Sequence, residues 1–178
     1  TKNKVYIDTS GNKTIGIGHK LLPGEDPNEM DIEETFNTDL KNKISITKTL
    51  FLDYDKYPLD VKKALVSGVF RGEHKKGHKT VDYINSGQWD KVPEEYINRN
   101  DYRESKKKNT GVYKRMDENA GSFRNYYKQL QEEEKNKKLE QSSMLGDLFV
   151  KPAYAEEESG IDFSKLPDKP RGALSQLT

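Results

Sequence analysis

The chain has 178 residues, 34% of them charged and 31% hydrophobic, with a mean hydropathy of −1.04. That suits one folded domain with a polar extension and is too lean in apolar side chains for two full cores. Lys and Arg total 31 against 30 Asp and Glu, which disfavours a polyanion binder that relies on bulk charge, and the absence of cysteine excludes disulfides, thiolate catalysis and Cys-type zinc sites. No apolar run approaches the roughly 18 residues of a membrane span. The opening Thr-Lys-Asn-Lys has no apolar stretch behind it and no initiating Met, so no signal peptide is expected and the chain reads as processed or partial.

The charge is uneven. Residues 1–130 hold 24 basic and 20 acidic side chains, a net of +4, whereas 131–178 hold 7 and 10, a net of −3. Aromatic and apolar residues thin out after Tyr127 and Leu130. The expected division is a folded domain over 1–130, a solvated helix over 131–150 (opening with QEEEKNKKLE), and an extended tail over 151–178 broken by Pro152, Pro167 and Pro170.

In chain order, the β-rich Lys4–Asp8 precedes the turn residues Thr9-Ser10-Gly11-Asn12, and Lys13–Gly18 returns as a second strand, predicting a hairpin. Pro23, Gly24 and Pro27 mark a loop. Asp31 followed by Glu34 predicts a helix start, with Ile32, Phe36, Leu40 and Ile44 along one face. A second helix is expected from Leu59-Asp60, with Val61, Leu65, Gly68 and Val69 on one stripe and Phe70 beside it. Shorter helices are expected at 79–86, 88–98 and 112–129, separated by Gly77, Gly87 and Gly111. The fold class is therefore α+β, a small N-terminal hairpin sheet feeding a mainly helical body.

The hairpin is where chemistry is expected. Asp8 ends one strand and Thr14 begins the next, positions that a hairpin brings close, so a carboxylate and a hydroxyl can hold one water. The residue types alone favour the plainer reading, in which Asp8 suits the turn and Thr14 the strand. Glycines at 16 and 18 weaken a strand and permit close approach of a ligand or a second backbone, and His19 directly after them reads as a packed or hydrogen-bonded residue. His74 and His78 have helix-face metal spacing, but Gly77 between them and the lack of a third ligand argue against a metal site. Lys106-Lys107-Lys108 with Lys114 and Arg115, near Tyr102 and Tyr113, read as a solvated basic face rather than a nucleic-acid surface. Phe163, Leu166 and Leu174 are candidate docking residues of the tail.

The string Tyr6–His19, YIDTSGNKTIGIGH, resembles the hairpin of the phage-type lysozymes, whose pattern Y-x-D-x-x-G-x-x-T-x-G-x-G-H it matches at every fixed position. Weaker likeness continues through DIEETFNTDL at 31–40, Ala64–Phe70, Gly87–Asp90 and Val112–Arg115, so it covers about residues 1–130. The resemblance implies a muramidase that cuts the β-1,4 bond between N-acetylmuramic acid and N-acetylglucosamine in peptidoglycan, by inversion and without a cofactor. It implies Asp8 as base or electrostatic partner, Thr14 as holder of the attacking water, Gly18 and His19 as structural neighbours, and Leu21, Phe70 and Thr80 as groove residues. Ser67 and Arg71 flank Phe70, and Glu95 stands where the family tends to use an amide. The expected partners are glycan strands and, through the tail, virion proteins, with the cell wall as place of action. The family's general acid, a Glu before a Gly roughly nine residues ahead of the Asp, falls two places before Thr1, and Glu25 comes too late to replace it. A partial chain of such an enzyme is therefore expected. The alternatives are a cleaved product and a particle protein that keeps the fold for wall binding without cutting.

Overall fold

A computed structural model describes residues 4–8 and 11–154, with side chains through Met144. Contacts divide the chain after Leu130 into Thr1–Leu130 and Gln131–Thr178.

The first unit begins with three short antiparallel strands, β1 (Tyr6–Ile7), β2 (Lys13–Ile15) and β3 (His19–Lys20), in the order β1-β2-β3. Tyr6 pairs with Thr14 and Ile7 with Lys13; Thr14 then pairs with Lys20 and Ile15 with His19. The expected second strand thus stops at Ile15 instead of running to Gly18, and a third strand appears. The cause is the pair of glycines. Gly16 and Gly18 have φ of +60° and +90°, the left-handed region that a continuing strand cannot use. Gly16 also sits against the first helix, where an added Cβ would come within 2.5 Å of Ile32 Cγ2.

Helix α1 (Ile32–Leu50) starts where Asp31 was expected to cap it: the Asp31 carboxylate accepts from Glu33 N at 2.8 Å and Glu34 N at 3.0 Å. A 3-10 turn (Tyr54–Lys56) leads to α2 (Leu59–Phe70), then α3 (Lys79–Asn85), α4 (Val92–Ile97), α5 (Asn100–Lys107) and α6 (Gly111–Tyr154). On α2, Val61, Ala64, Leu65, Gly68 and Val69 are buried, an i, i+3, i+4, i+7, i+8 stripe that puts this helix through the core. Around it gather Phe51, Tyr57, Trp89, Tyr96, Met116 and Phe123. The rings meet edge to face, Trp89 with Tyr126 at 4.7 Å and Tyr96 with Phe123 at 5.3 Å, a geometry favoured by the ring quadrupoles.

Two helical expectations need correction. The helix expected over 88–98 covers only Val92–Ile97, because Gln88–Lys91 make a turn closed by Lys91 N on Gln88 O at 3.1 Å. Helix α5 was not foreseen: of its eight mostly charged residues only Tyr102 and Ser105 are buried, too few to reveal a period.

In the second unit, α6 continues without a break at 130 and reaches Tyr154, four residues into the expected tail. Residues 131–144 are all exposed, and Lys138 pairs with Glu134 one turn away at 2.6 Å. The rest of the expected tail, with Phe163, Leu166 and Leu174, lies outside the described residues. Among the described residues no helix is long and apolar enough to cross a membrane.

Candidate functional site

The sheet, α1 and the C-terminal end of α2 line a cleft of about 810 Å³ that includes Asp8, Asn12, His19, Lys43, Phe70 and Arg71. A second cavity of about 620 Å³, walled by Phe36, Leu40, Ile44 and Val66, shares Gly18, Phe70, Arg71 and Arg115 with it. Of the anticipated residues, Asp8, Gly18, His19 and Phe70 therefore converge on one cleft.

Asp8 is half-buried at the end of β1. Its carboxylate accepts from the Asn12 backbone N–H at 2.8 Å and from Asn12 Nδ2 at 3.1 and 3.3 Å, while the Asp8 N–H donates to Asn12 O at 3.0 Å. The turn that Asp8 helps close also holds its carboxylate in place. Thr14 is not in the cleft lining. Only 2% exposed, it turns its hydroxyl inward to donate to Asn12 O at 3.3 Å. Successive strand residues face opposite sides of the sheet, so the burial of both Thr14 and its neighbour Ile15 shows that β2 is covered on both faces there. Asp8 and Thr14 thus meet through Asn12, a residue that sequence reasoning treated only as part of the turn.

Two further groove expectations are not met by position. Leu21 extends the β2–β3 ladder, its N–H donating to Lys13 O at 2.9 Å, and the neighbouring Leu22 lines the cleft in its place. Thr80 is buried in the first turn of α3 and lines neither cavity. Glu95 borders a separate depression with Tyr83, Lys91 and Arg103. Phe70 does line the cleft. Its ring stacks on Phe36 at 6.5 Å, with Lys43 Nζ 5.8 Å from its centroid.

His19 braces the cleft from β3. Its Nδ1 lies 2.8 Å from Asp39 on α1 and its Nε2 3.1 Å from Glu25 in the loop. Two carboxylates, one at each ring nitrogen, are both satisfied only by the imidazolium. Partial burial opposes that charge, but the hydrogen bonds and charges of Glu25 and Asp39 outweigh it and raise the His19 pKa. Glu25 in turn accepts the Leu22 N–H at 2.7 Å, which together with His19 lowers its own pKa.

Behind the cleft lies a polar network that the sequence did not announce. Glu73, 2% exposed, holds Arg71 Nε through a close ion pair, and its other oxygen accepts from Tyr96 OH at 2.5 Å. Asn119 Nδ2 donates to Tyr96 OH at 2.9 Å and to Ser67 Oγ at 3.4 Å. Burial, and then the Glu73 charge, push the Tyr96 pKa up. A lone Glu in the polar string RGEHKKGH carries no pattern that separates it from a surface residue.

The two histidines of the anticipated metal spacing serve different ends. His74 is in the core, its ring packed against Phe51 and Tyr96 at 5.3 Å from each, and neither nitrogen has a hydrogen-bond partner among the described residues. His78 Nδ1 lies 3.0 Å from Glu73 O. Among the described residues no three His, Asp or Glu side chains come together as a metal site. Lys106, Lys107 and Lys108 are exposed, and Lys106 and Lys107 bond within α5 to Tyr102 and Glu104.

No protein-family model matches this chain, and no curated protein sequence matches it either.

Proposed function

We propose that the first unit is the glycan-binding and water-activating part of a peptidoglycan hydrolase of the lysozyme kind. The observation that carries the reading is the Asp8 carboxylate, oriented by both amides of Asn12, in the lining of a cleft that also offers the ring of Phe70. An aromatic face suits the C–H face of a sugar. A held carboxylate suits removal of a proton from water attacking the anomeric carbon. In an inverting step the water oxygen forms the new bond to that carbon, the glycosidic bond breaks, Asp8 takes the water proton, and an acid gives a proton to the leaving oxygen. Thr14 supports this arrangement through Asn12: its hydroxyl holds the carbonyl of the residue whose amides hold Asp8.

The leaving oxygen needs a second carboxyl group. Asp39, the other acid in the cleft lining, is engaged by His19, and the resemblance assigns the acid to a Glu ahead of Asp8 and outside residues 1–178. The test compares turbidity loss of purified peptidoglycan by residues 1–178 and by the same chain with a Glu-Gly-ending helix added ahead of Thr1. Activity is expected in the extended chain, on the order of 10²–10⁴-fold above that of 1–178, and Asp8→Ala is expected to abolish it. Undiminished hydrolysis by Asp8→Ala overturns the mechanism. The engagement of Asp39 also favours a second reading, a wall-binding particle protein that does not cut. Binding to peptidoglycan without hydrolysis by either chain selects it.

A further inference from the structure

The loop that joins α2 to α3 enters the core on a side chain that gains no hydrogen bond there. Gly72 and Gly77, with φ of +71° and +82°, turn the chain at its two ends in a conformation open mainly to glycine, and Lys75 and Lys76 between them are exposed. Glu73 and His74 are the buried pair, 2% and 3% exposed. The His74 ring packs on Phe51, Tyr96 and Phe123 and fills the space a side chain would take at Gly68 of α2. Neither of its nitrogens has a partner among the described residues. An apolar side chain of the same size avoids that cost.

The groups around the ring offer no acceptor to a second proton. Phe51 at the end of α1 and Phe123 on α6 bring no charge. The end of α2 and the loop bring Arg71 and Glu73, the start of α3 brings His78, α4 brings Tyr96, and the turn after it brings Arg99. The Glu73 carboxylate is taken by Arg71 and by Tyr96 OH, and its carbonyl by Arg99 and His78. Burial, with the charges of Arg99 and His78, opposes protonation of the seated ring. The same loop sets one wall of the cleft. Arg71 and Gly72 line it, and Glu73 holds Arg71 there from behind. The Tyr96 ring that braces Glu73 also stacks on His74, with 27° between the planes.

We propose that the Gly72–Gly77 loop is an acid-released latch on the cleft wall: a proton from solvent on His74 drives the ring out of the core, the loop turns outward at its two glycines, and Glu73 leaves Arg71 unbraced. The latch stands on the loop and its packing, and holds whatever ligand the cleft takes. Among three aromatic rings the seated imidazole keeps no proton, whereas the released ring takes one readily in water. Each pH unit below about 6.5 therefore multiplies the released population by about ten. Helix α2 keeps Val61, Leu65 and Val69 buried throughout, so the release is local and precedes unfolding of the core.

The experiment measures amide exchange in the full 178-residue chain between about pH 6 and pH 4, corrected for the pH dependence of the chemical exchange step. Opening at the hydrogen-bonded amides of Glu73, His74 and His78 is expected to rise on the order of 100-fold over that range, with the amides of α2 unchanged. His74→Leu and His74→Met fill the site without a titratable group and are expected to show no rise. Circular dichroism at neutral pH records that they are folded, and either one that folds decides the matter. His78→Gln, which removes the neighbouring histidine, is expected to keep the wild-type rise. The Arg71 Nε–H resonance, sheltered by Glu73, is expected to fade over the same range in the wild type and to persist in His74→Leu.

An equal rise in the loop and in α2 overturns the latch, because the core then opens as one body. A flat response of the loop down to about pH 4 overturns it as well. The same rise in His74→Leu or His74→Met overturns His74 as the trigger.

Discussion

The sheet end and the helical core of the first unit each contain a histidine, and the two are held in opposite ways. His19 ties β3 to α1 and to the loop through its two ring nitrogens, one on Asp39 and one on Glu25, which raise its pKa. His74 packs as a neutral ring among Phe51, Tyr96 and Phe123, with neither nitrogen bonded among the described residues. The sheet supplies few fully buried side chains, Thr14 and Ile15, so polar clamps and glycine turns set its shape. The core is built from aromatic rings packed mostly edge to face, and apolar burial sets its shape. The cleft lies where the first kind of construction meets the last turn of α2, which belongs to the second. Its Asp8 and His19 are positioned by hydrogen bonds, and its Phe70 and Arg71 by the helix.

The sharpest test of that contrast is a deletion in the core. Phe123 is fully buried and touches the rings of His74, Trp89 and Tyr96. Phe123→Ala is expected to cost about 3–5 kcal/mol, the range for large-to-small aromatic changes that leave a cavity. Urea unfolding monitored by Trp89 fluorescence measures it. A loss below about 1 kcal/mol would mean the ring cluster is not what holds the helices together.

Next in size is acid sensitivity. Burial, with the nearby positive charges of Arg99 and His78, pushes the His74 pKa down to about 3, against an unfolded value near 6.5. The unfolded chain therefore binds the extra proton first. Stability attributable to His74 is complete above about pH 6.5 and declines as pH falls toward 3, by on the order of a few kcal/mol. His74→Leu, which leaves no unpartnered nitrogen, is expected to flatten this acid limb in a pH series of urea midpoints while staying near wild-type stability at pH 7. An unchanged acid limb would show that other groups carry it.

Much of this division was legible in the chain. The stripe Val61, Leu65, Gly68, Val69 identified the central helix because it buries one face at helical period, and Asp31 announced the start of α1 through a purely local hydrogen bond. The α+β class followed from the same signals. The cleft was legible as far as its residues follow the hairpin motif: Asp8, Gly18 and His19 are there, and Phe70 follows from the α2 stripe. Thr14, Leu21 and Thr80 lie outside the cleft lining, since which side chains border a cleft depends on what packs around them, which no local spacing encodes. Glu73 and Arg71 pair locally, but the network behind them is completed by Tyr96 on α4 and Asn119 on α6, 23 and 46 residues from Glu73.

The sheet end is expected to respond to a smaller backbone change. Gly16→Ala places a side chain on a residue at φ +60° and against Ile32 Cγ2. Left-handed backbone costs a non-glycine residue roughly 1–2 kcal/mol, and overpacking adds to it. Because the affected contacts join β2 to α1, the change is expected to disturb the cleft before the aromatic core. Amide exchange measures this: faster exchange at Lys13–Lys20 is expected, with protection of α2 unchanged. Loss of protection throughout would mean that the sheet and core unfold as one.

The smallest effect belongs to the His19 clamp, and its sign is opposite to that of His74. A histidine whose pKa is raised on folding contributes stability that is complete below its unfolded value, near 6.5, and lost as pH rises through the folded value. The His19–Asp39 pair is partly open to solvent, with 15% and 27% of the two side chains exposed, so its worth is held to about 1 kcal/mol or less. Asp39→Asn is therefore expected to lower stability at pH 5–6 and to matter progressively less above pH 7. His74→Leu acts with the opposite sign in the acid range, improving stability as pH falls below 6.5. If Asp39→Asn costs the same at pH 5 and pH 9, His19 is neutral in the folded chain. The sheet end would then rest on its glycine turns and on the contact of Gly16 with Ile32, without an ionic clamp.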